Sequence, residues 1–360
     1  MIRLGHVSIN ERSKELVREV LESGEIGQSE MITRFEDAFA KWLGVKYCVA
    51  VASGTIADTV ALAVLKSLTP EKTEVIVPAL TFIAQVNSIY YNHLKPVFVD
   101  VEPNLQMNMT LAAEKININT LCLFPVHLLG NPARLDALTH ISARYGVPFI
   151  EDACEAMGSE HQRGVDFKKC GSFGDMGTFS FFPSHTITTG EGGMIATDNE
   201  DYAKLARRLI NHGKISSKDF HFDVVGFNGK MSSVTAAIGL GAIDDADKVI
   251  QARHDNMIKL GGNDANYKKV CPHAFYRFAK DEAHRDSILE RLRSEGIECR
   301  NLFSSVPTQE EAYAYLGHKI GEFPVAEHIG KTGFYVPVHQ GLRESDISRM
   351  KSLLSEMQVQ

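Results

Sequence analysis

Three short segments of this 360-residue chain combine residue types that could do chemistry. The first is Ser53-Gly54-Thr55, placed after the apolar run 47–53 (YCVAVAS) and before a helix-like stretch. A small-residue turn at a helix start presents unpaired backbone N–H groups and the positive end of a dipole to a phosphate. The same residues also suit an ordinary capped turn, so they do not specify a phosphate by themselves. The second is Asp152 in FIEDACEA, at the end of an apolar strand. A carboxylate there must be solvated, paired or used, because burying it alone is costly. It could salt-bridge a cationic ring nitrogen or cap the following turn. The third is the stretch SFFPSHTITTGEGG, residues 180–193, which sets hydroxyls, the imidazole of His185 and three glycines between two strands. Glycines let backbone approach a ligand or adopt positive φ. A lone loop histidine is usually structural or solvated, and here its neighbours weaken that reading.

The elements that must position these residues are legible as seven unbroken apolar runs: YCVAVAS, EVIVPAL, PVFVDV, TLCLFPVHL, VPFIEDA, GTFSFF and GGMIATD. Helix-like stretches such as IADTVALAVLKSL and RLDALTHISARYG separate several of them. That alternation predicts an α/β architecture with a mainly parallel sheet covered on both faces. In such sheets ligands collect at the carboxyl ends of the strands, where the three segments lie. The pattern weakens after about residue 235. A long helical stretch, SSVTAAIGLGAIDDADKVIQARHDNMIKL, follows, and RDSILERLRSEG and ESDISRMKSLLSEM read as helices of a smaller α+β unit. The expected division is a large domain, 1–245, and a small C-terminal domain, 246–360.

Composition narrows the function classes. The apolar fraction of 44% and charged fraction of 23% are those of a globular protein. A net charge of −7 excludes the basic footprint of a nucleic-acid binder. The six cysteines, Cys48, Cys122, Cys154, Cys170, Cys271 and Cys299, form no C-x-x-C pair, which argues against a disulfide framework or a locally built metal site. The N-terminus has no apolar signal core, and no run approaches a membrane span, so a cytoplasmic location is expected.

Taken in order, these motifs resemble the DegT/StrS family of pyridoxal-phosphate-dependent sugar aminotransferases. The likeness runs from FEDAFAKWLGVKYCVAVASGT through VPALTFIAQVNSI, FIEDACEAMGS, TTGEGGMIATD and GFNGKMSSVTAAIGL to GFYVPVHQGLRESDI. It implies the PLP-transferase type I fold: a mainly parallel seven-stranded sheet with helices on both faces, plus the smaller C-terminal α+β domain. Carried over residue by residue, Gly54 and Thr55 would hold the phosphate of pyridoxal 5'-phosphate, Phe82 would stack on its ring, and Ser180 would contact the phosphate. Asp152 would pair with the protonated ring nitrogen, and Glu155, one turn on, would make a supporting contact. Asn228 would reach the phosphate from a neighbouring subunit, which implies a homodimer with shared active sites. A nucleotide-sugar substrate and glutamate as amino donor follow from the same likeness, with no metal, nucleic acid or membrane.

One departure matters most. The family pattern has a lysine, linked covalently to the cofactor aldehyde, at the position of His185, and no lysine occurs from Gly171 to Glu200. Imidazole has no primary amine, so the cofactor, as pyridoxal or pyridoxamine 5'-phosphate, must be held non-covalently. The local pattern around His185 resembles the GDP-4-keto-6-deoxymannose 3-dehydratases, a branch that carries histidine here. With a pKa near 6.5 the histidine would serve as both base and acid. The segment after it, NHGKISSKDFHFDVVGFNGKM, is short and cysteine-free, as in the aminotransferases, which argues against an iron–sulfur dehydratase. The residues therefore point first to a 4-keto-6-deoxyhexose 3-dehydratase using His185 as base. The alternative is a nucleotide-sugar aminotransferase whose lysine is replaced by His185, and a second alternative is a non-catalytic cofactor- or sugar-binding relative. His127, His339 and Arg300 are lesser candidates, each with an ordinary structural explanation.

Overall fold

The computed structural model describes residues 1–215, 220–263, 269–357 and 359. All seven apolar runs are strands: β1 (Tyr47–Val51), β2 (Glu74–Pro78), β3 (Lys95–Val99), β4 (Thr120–Leu123), β5 (Ile150–Asp152) and, beyond an intervening hairpin, β8 (Met176–Ser180) and β9 (Gly193–Thr197). The hairpin, β6 (Glu160–Arg163) with β7 (Asp166–Lys169), was not expected from the sequence. Its residues, EHQR and DFKK, are polar except for Phe167, and only His161 is buried, so no apolar run marks it.

Strands β3-β2-β4 form one group and β1-β9-β8-β5 another. Parallel bridges between Leu123 and Phe149 and between Val126 and Asp152 join them into one seven-stranded sheet. Within it β9 runs antiparallel to both β1 and β8, while the β2–β3, β2–β4 and β5–β8 pairs are parallel. The ends of β1, β5 and β8 and the start of β9 therefore meet at one edge, where Gly193 pairs with both Val51 and Ser180.

Helices cover both faces. Side chains alternate across a strand, so one strand feeds two cores. Cys48 and Ala50 of β1 pack with α1 (Glu11–Ser23), α2 (Glu30–Leu43) and the helix Ser233–Ile243. Val49 and Val51 pack on the other side with α3 (Gly54–Leu68) and α4 (Ile83–Tyr91). Phe181, immediately after β8, is fully buried with its ring 5.3 Å from that of Phe35 and 5.5 Å from that of Phe39. Burial of a ring this size stabilises by roughly 2–3 kcal/mol and pins the chain just before Phe182–His185.

The stretch read as one long helix is two, Ser233–Ile243 and Ala246–Lys259. Asn10 lies at the break: its amide donates to Gly241 O at 2.8 Å and to Asp245 Oδ2 at 2.7 Å, so a carbonyl at the end of the first helix is satisfied from outside. Farther on, β10 (Phe275–Phe278), β11 (Arg300–Asn301) and β12 (Gly333–Val336) form an antiparallel sheet in the order β10-β12-β11. The helices Glu282–Ser294 and Glu344–Glu356 share a core with it, and Ile2 packs into that core from the other end of the chain.

The Glu151 side chain of β5 is completely buried. It accepts N–H donors from Gly171, Phe173 and Gly174 at 2.6–2.8 Å and from His127 Nε2 at 3.0 Å. The imidazole tautomer follows from its other nitrogen, because Nδ1 accepts the Ala133 N–H at 2.8 Å. One carboxylate thus holds the loops entering β8 and leaving β4 against the central strand. Replacing Glu151 with Ala would strand four donors, two of them buried and two part-buried. Urea unfolding is expected to show a loss of about 3–5 kcal/mol, with Glu151→Gln intermediate because one oxygen remains.

Candidate functional site

At the meeting edge of the strands lies a cavity of about 320 Å³, in the size range of small-ligand sites. It gathers Gly54, Thr55, Phe82, Asp152, Glu155, Ser180 and His185, all expected from the sequence. Ser53 caps α3 by accepting the Ile56 N–H at 3.2 Å, and Gly54 and Thr55 form the helix's first turn at the cavity wall. Gly54 is required by close approach: a Cβ there would lie 2.6 Å from Ser180 Cβ and 3.0 Å from Cys154 Sγ. Gly193 is equally constrained, since its Cβ would sit 2.4 Å from Ser53 O. These contacts set the α3 start beside Ser180. The Ser180 hydroxyl accepts the Phe182 N–H at 3.4 Å, which leaves its own hydrogen to donate. A helix N-terminus with an adjacent hydroxyl suits a phosphate.

Asp152 is buried at the end of β5, and Asp58, one turn into α3, is buried beside it. Burial and the Asp152 charge push the Asp58 carboxyl well above the usual carboxylate range, although Thr178 donates to it at 2.6 Å. Burial likewise raises Asp152, partly opposed by the Cys154 N–H at 3.1 Å and the Cys154 thiol. Two desolvated carboxylates side by side need a cation or a proton between them. A protonated pyridine nitrogen at Asp152 meets that need, so the residues fit pyridoxal phosphate. Asp58, Asp152 and Cys154 also bring potential metal-ligand atoms within 4.8 Å of one another. The Cys154 thiol, however, is held protonated by burial and the flanking carboxylates, which makes it a poor ligand.

His185 lies across the cavity. Its Nδ1 is 3.0 Å from Ser180 O. A carbonyl can only accept, so Nδ1 carries the hydrogen and Nε2 holds the lone pair. Burial, together with the charge of Arg253, lowers its pKa to about 4, opposed by the bond to Ser180. The ordinary value of 6.5 expected from the sequence is therefore not kept: the imidazole is neutral above about pH 4, a base at neutral pH and a strong acid once protonated. Among the described residues lining the cavity there is no lysine.

Other expected residues lie elsewhere. Asn228 is outside this chain's cavity and bridges to Asn211. His127 belongs to the Glu151 network, and His339 contacts Arg3 O at 2.9 Å and stacks on His6. Arg300 does line the cavity, alongside residues that the sequence did not single out: Asp58, Cys154, His273, Phe303 and Tyr335. Asp58 had a signal, a carboxylate four residues after Gly54 on an otherwise apolar helix. His273, Phe303 and Tyr335 come from the distal third of the chain and carried none.

Phe82 caps α4 at the cavity mouth, half exposed and 5.8 Å from the ring of Phe303. An aromatic face in that position can stack on a planar ring. Among the described residues no helix is long and apolar enough to cross a membrane.

Comparison with known proteins agrees with this geometry. Residues 7–355 match the DegT/DnrJ/EryC1/StrS aminotransferase family. GDP-perosamine synthase from Caulobacter vibrioides is 36% identical over 343 residues, which cover 91% of this chain and 90% of the relative. GDP-4-keto-6-deoxy-D-mannose 3-dehydratase from Escherichia coli O55:H7 is 28% identical over 373 residues, covering 94% and 95% respectively. The solved structure of the E. coli GDP-4-keto-6-deoxy-D-mannose-3-dehydratase with bound hydrated PLP matches with a TM-score of 0.89 at 26% identity, over 98% of this chain and 99% of that one. A helix start beside a serine hydroxyl, a buried carboxylate and an exposed aromatic ring line one cavity on the scaffold of that family: the chain belongs to the DegT/DnrJ/EryC1/StrS aminotransferases and is a pyridoxal-phosphate-dependent enzyme.

Proposed function

We propose that the enzyme acts on a nucleotide-linked 4-keto-6-deoxyhexose and replaces its ketone with an amine drawn from glutamate, with His185 moving the proton. The observation that carries this reading is a full set of candidate cofactor-holding residues in a chain whose similarity to a GDP-perosamine synthase spans most of both proteins. When bound, the cofactor supplies the amino group and an electron sink for the carbon that loses a proton. Asp152 keeps the ring nitrogen protonated, which preserves that sink. Gly54, Thr55 and Ser180 grip the phosphate, and Phe82 holds the ring plane. Because no covalent link to the protein is available, non-covalent contacts of this kind retain the cofactor. His185 takes a proton at Nε2 while Nδ1 stays committed to Ser180 O. Asn228 lies outside its own chain's cavity, so its role at the phosphate belongs to a homodimer in which each subunit completes the other's site.

Dehydration at C3 is the second reading, and His185 is the observation that favours it. A base without an amine can remove the proton and return one to the departing C3 hydroxyl, releasing water. The sequence by itself favoured this chemistry; the overall similarity weighs more toward amino transfer.

Incubation with pyridoxamine phosphate and a GDP- or dTDP-4-keto-6-deoxyhexose, followed by mass spectrometry, is expected to show ketone converted to amine. Loss of water instead would establish dehydration, and sugar binding without turnover would leave a binding protein. His185→Asn should lower turnover by about 10²–10⁴-fold while spectroscopic cofactor binding persists; an unchanged rate would remove His185 from the chemistry. His185→Lys should yield a borohydride-reducible adduct with pyridoxal phosphate that the parent protein lacks. Asp152→Asn is expected to weaken cofactor binding about ten- to hundredfold in an equilibrium titration, the scale of a charge-assisted contact.

A further inference from the structure

We infer that His273 is a second proton-carrying residue of this site, receiving from His185 the proton that His185 has removed and passing it to Glu155. The inference rests on the role of His185 proposed above. Three observations carry it.

First, the two imidazoles are neighbours in the same cavity, with ring centroids 5.0 Å apart and planes at 83°. His185 Nδ1 is committed to Ser180 O, so the proton gained at Nε2 must also leave from Nε2. Second, His273 Nδ1 is buried with no hydrogen-bond partner, an arrangement that buried polar groups rarely adopt without a use. Its other nitrogen, Nε2, is 3.9 Å from Glu155 Oε1, a gap that one water or a small tilt of the carboxyl closes. Glu155 is oriented by the Leu129 N–H, which donates to Oε2 at 2.8 Å. Third, one buried guanidinium holds the backbone of both histidines. Arg253 donates through Nη2 to Ser184 O and His185 O, each at 3.0 Å, and through Nη1 to Pro272 O and His273 O at 3.3 and 3.2 Å. A planar fork fixes the spacing of the two segments more tightly than separate contacts would.

The proton balance closes without any redox partner, because the reverse transfers return a proton from Glu155 through His273 to His185 for the sugar carbon and restore the His273 tautomer. The N–H bond at His185 Nε2 breaks as one forms at His273 Nδ1. The N–H bond at His273 Nε2 then breaks as an O–H bond forms on Glu155. The charged surroundings agree. Burial and Arg253 lower His185 to about 4, and burial, His185, Arg253 and Arg300 together hold His273 well below the usual imidazole range, so the pair does not hold two protons. Burial raises the Glu155 carboxyl to about 7, where it can take up or release a proton at neutral pH.

Two measurements on the cofactor-loaded protein test the relay. Long-range ¹H–¹⁵N spectra of histidine-labelled protein, with His273 assigned by its absence in His273→Phe, should show His273 protonated at Nε2 and bare at Nδ1. The opposite tautomer overturns the relay whether or not the enzyme turns over. Pyridoxamine phosphate deuterated at the reacting carbon then reports where the removed proton goes. In the parent, rapid exchange should leave mostly solvent hydrogen in the product. His273→Phe should slow that exchange by about a hundredfold, so that the label is retained, and Glu155→Gln should act in the same direction. Unchanged label loss in His273→Phe, alongside lost turnover in His185→Asn, would discard the relay and keep the role of His185. Full turnover in His185→Asn would instead discard the reading on which the relay rests.

Discussion

The site depends on a buried carboxylate that takes no part in its chemistry. Glu151 gathers three backbone N–H groups from the loop entering β8 and one imidazole N–H from the segment after β4. Adjacent strand residues point to opposite faces, so fixing Glu151 on one side of β5 presents Asp152 on the other. The same clasp sets where β8 begins and hence where Ser180 ends it. A charge desolvated to this degree is tolerable only because four donors converge on it. The precision of the cavity thus rests on hydrogen bonds made behind it.

Ser180 connects the two halves of the chemistry. Its side chain lies against Gly54 at the phosphate end, and its carbonyl fixes the tautomer of His185. In the proposed mechanism, cofactor grip and proton transfer are therefore both set by one residue at the end of one strand. A histidine has no primary amine for covalent anchoring, so proton movement is the role proposed for that position. Burial then keeps the imidazole neutral, which suits a base that must act without competing for the cofactor aldehyde. Arg253 reinforces the arrangement from behind by holding the carbonyls of Ser184 and His185.

Legibility in the sequence followed burial. The seven strands are continuous apolar runs because both faces of the sheet are covered, and each run was readable by eye. The β6–β7 hairpin was not, since solvated strands lack that pattern. The break at Asp244-Asp245 has no local signal because both flanking segments are helix-forming, and the contacts made there come from Asn10, more than 200 residues away. Gly54, Asp152 and His185 stand out because each lies at or just beyond the end of a strand, the edge at which such sheets collect ligands.

By itself the sequence determined the α/β class, the family, the cofactor and the substitution of His185 for lysine, because these depend on residue types at short spacing along single strands and turns. Only the tertiary structure decided the rest. It placed Asp58 against Asp152, turned Nε2 of His185 into the free nitrogen, lowered that imidazole to about 4 and brought His273 and Arg300 from the distal third into the same cavity. Those properties arise from desolvation and from contacts between segments far apart in the chain. Neither is encoded in local spacing, so neither exists until the layers have packed.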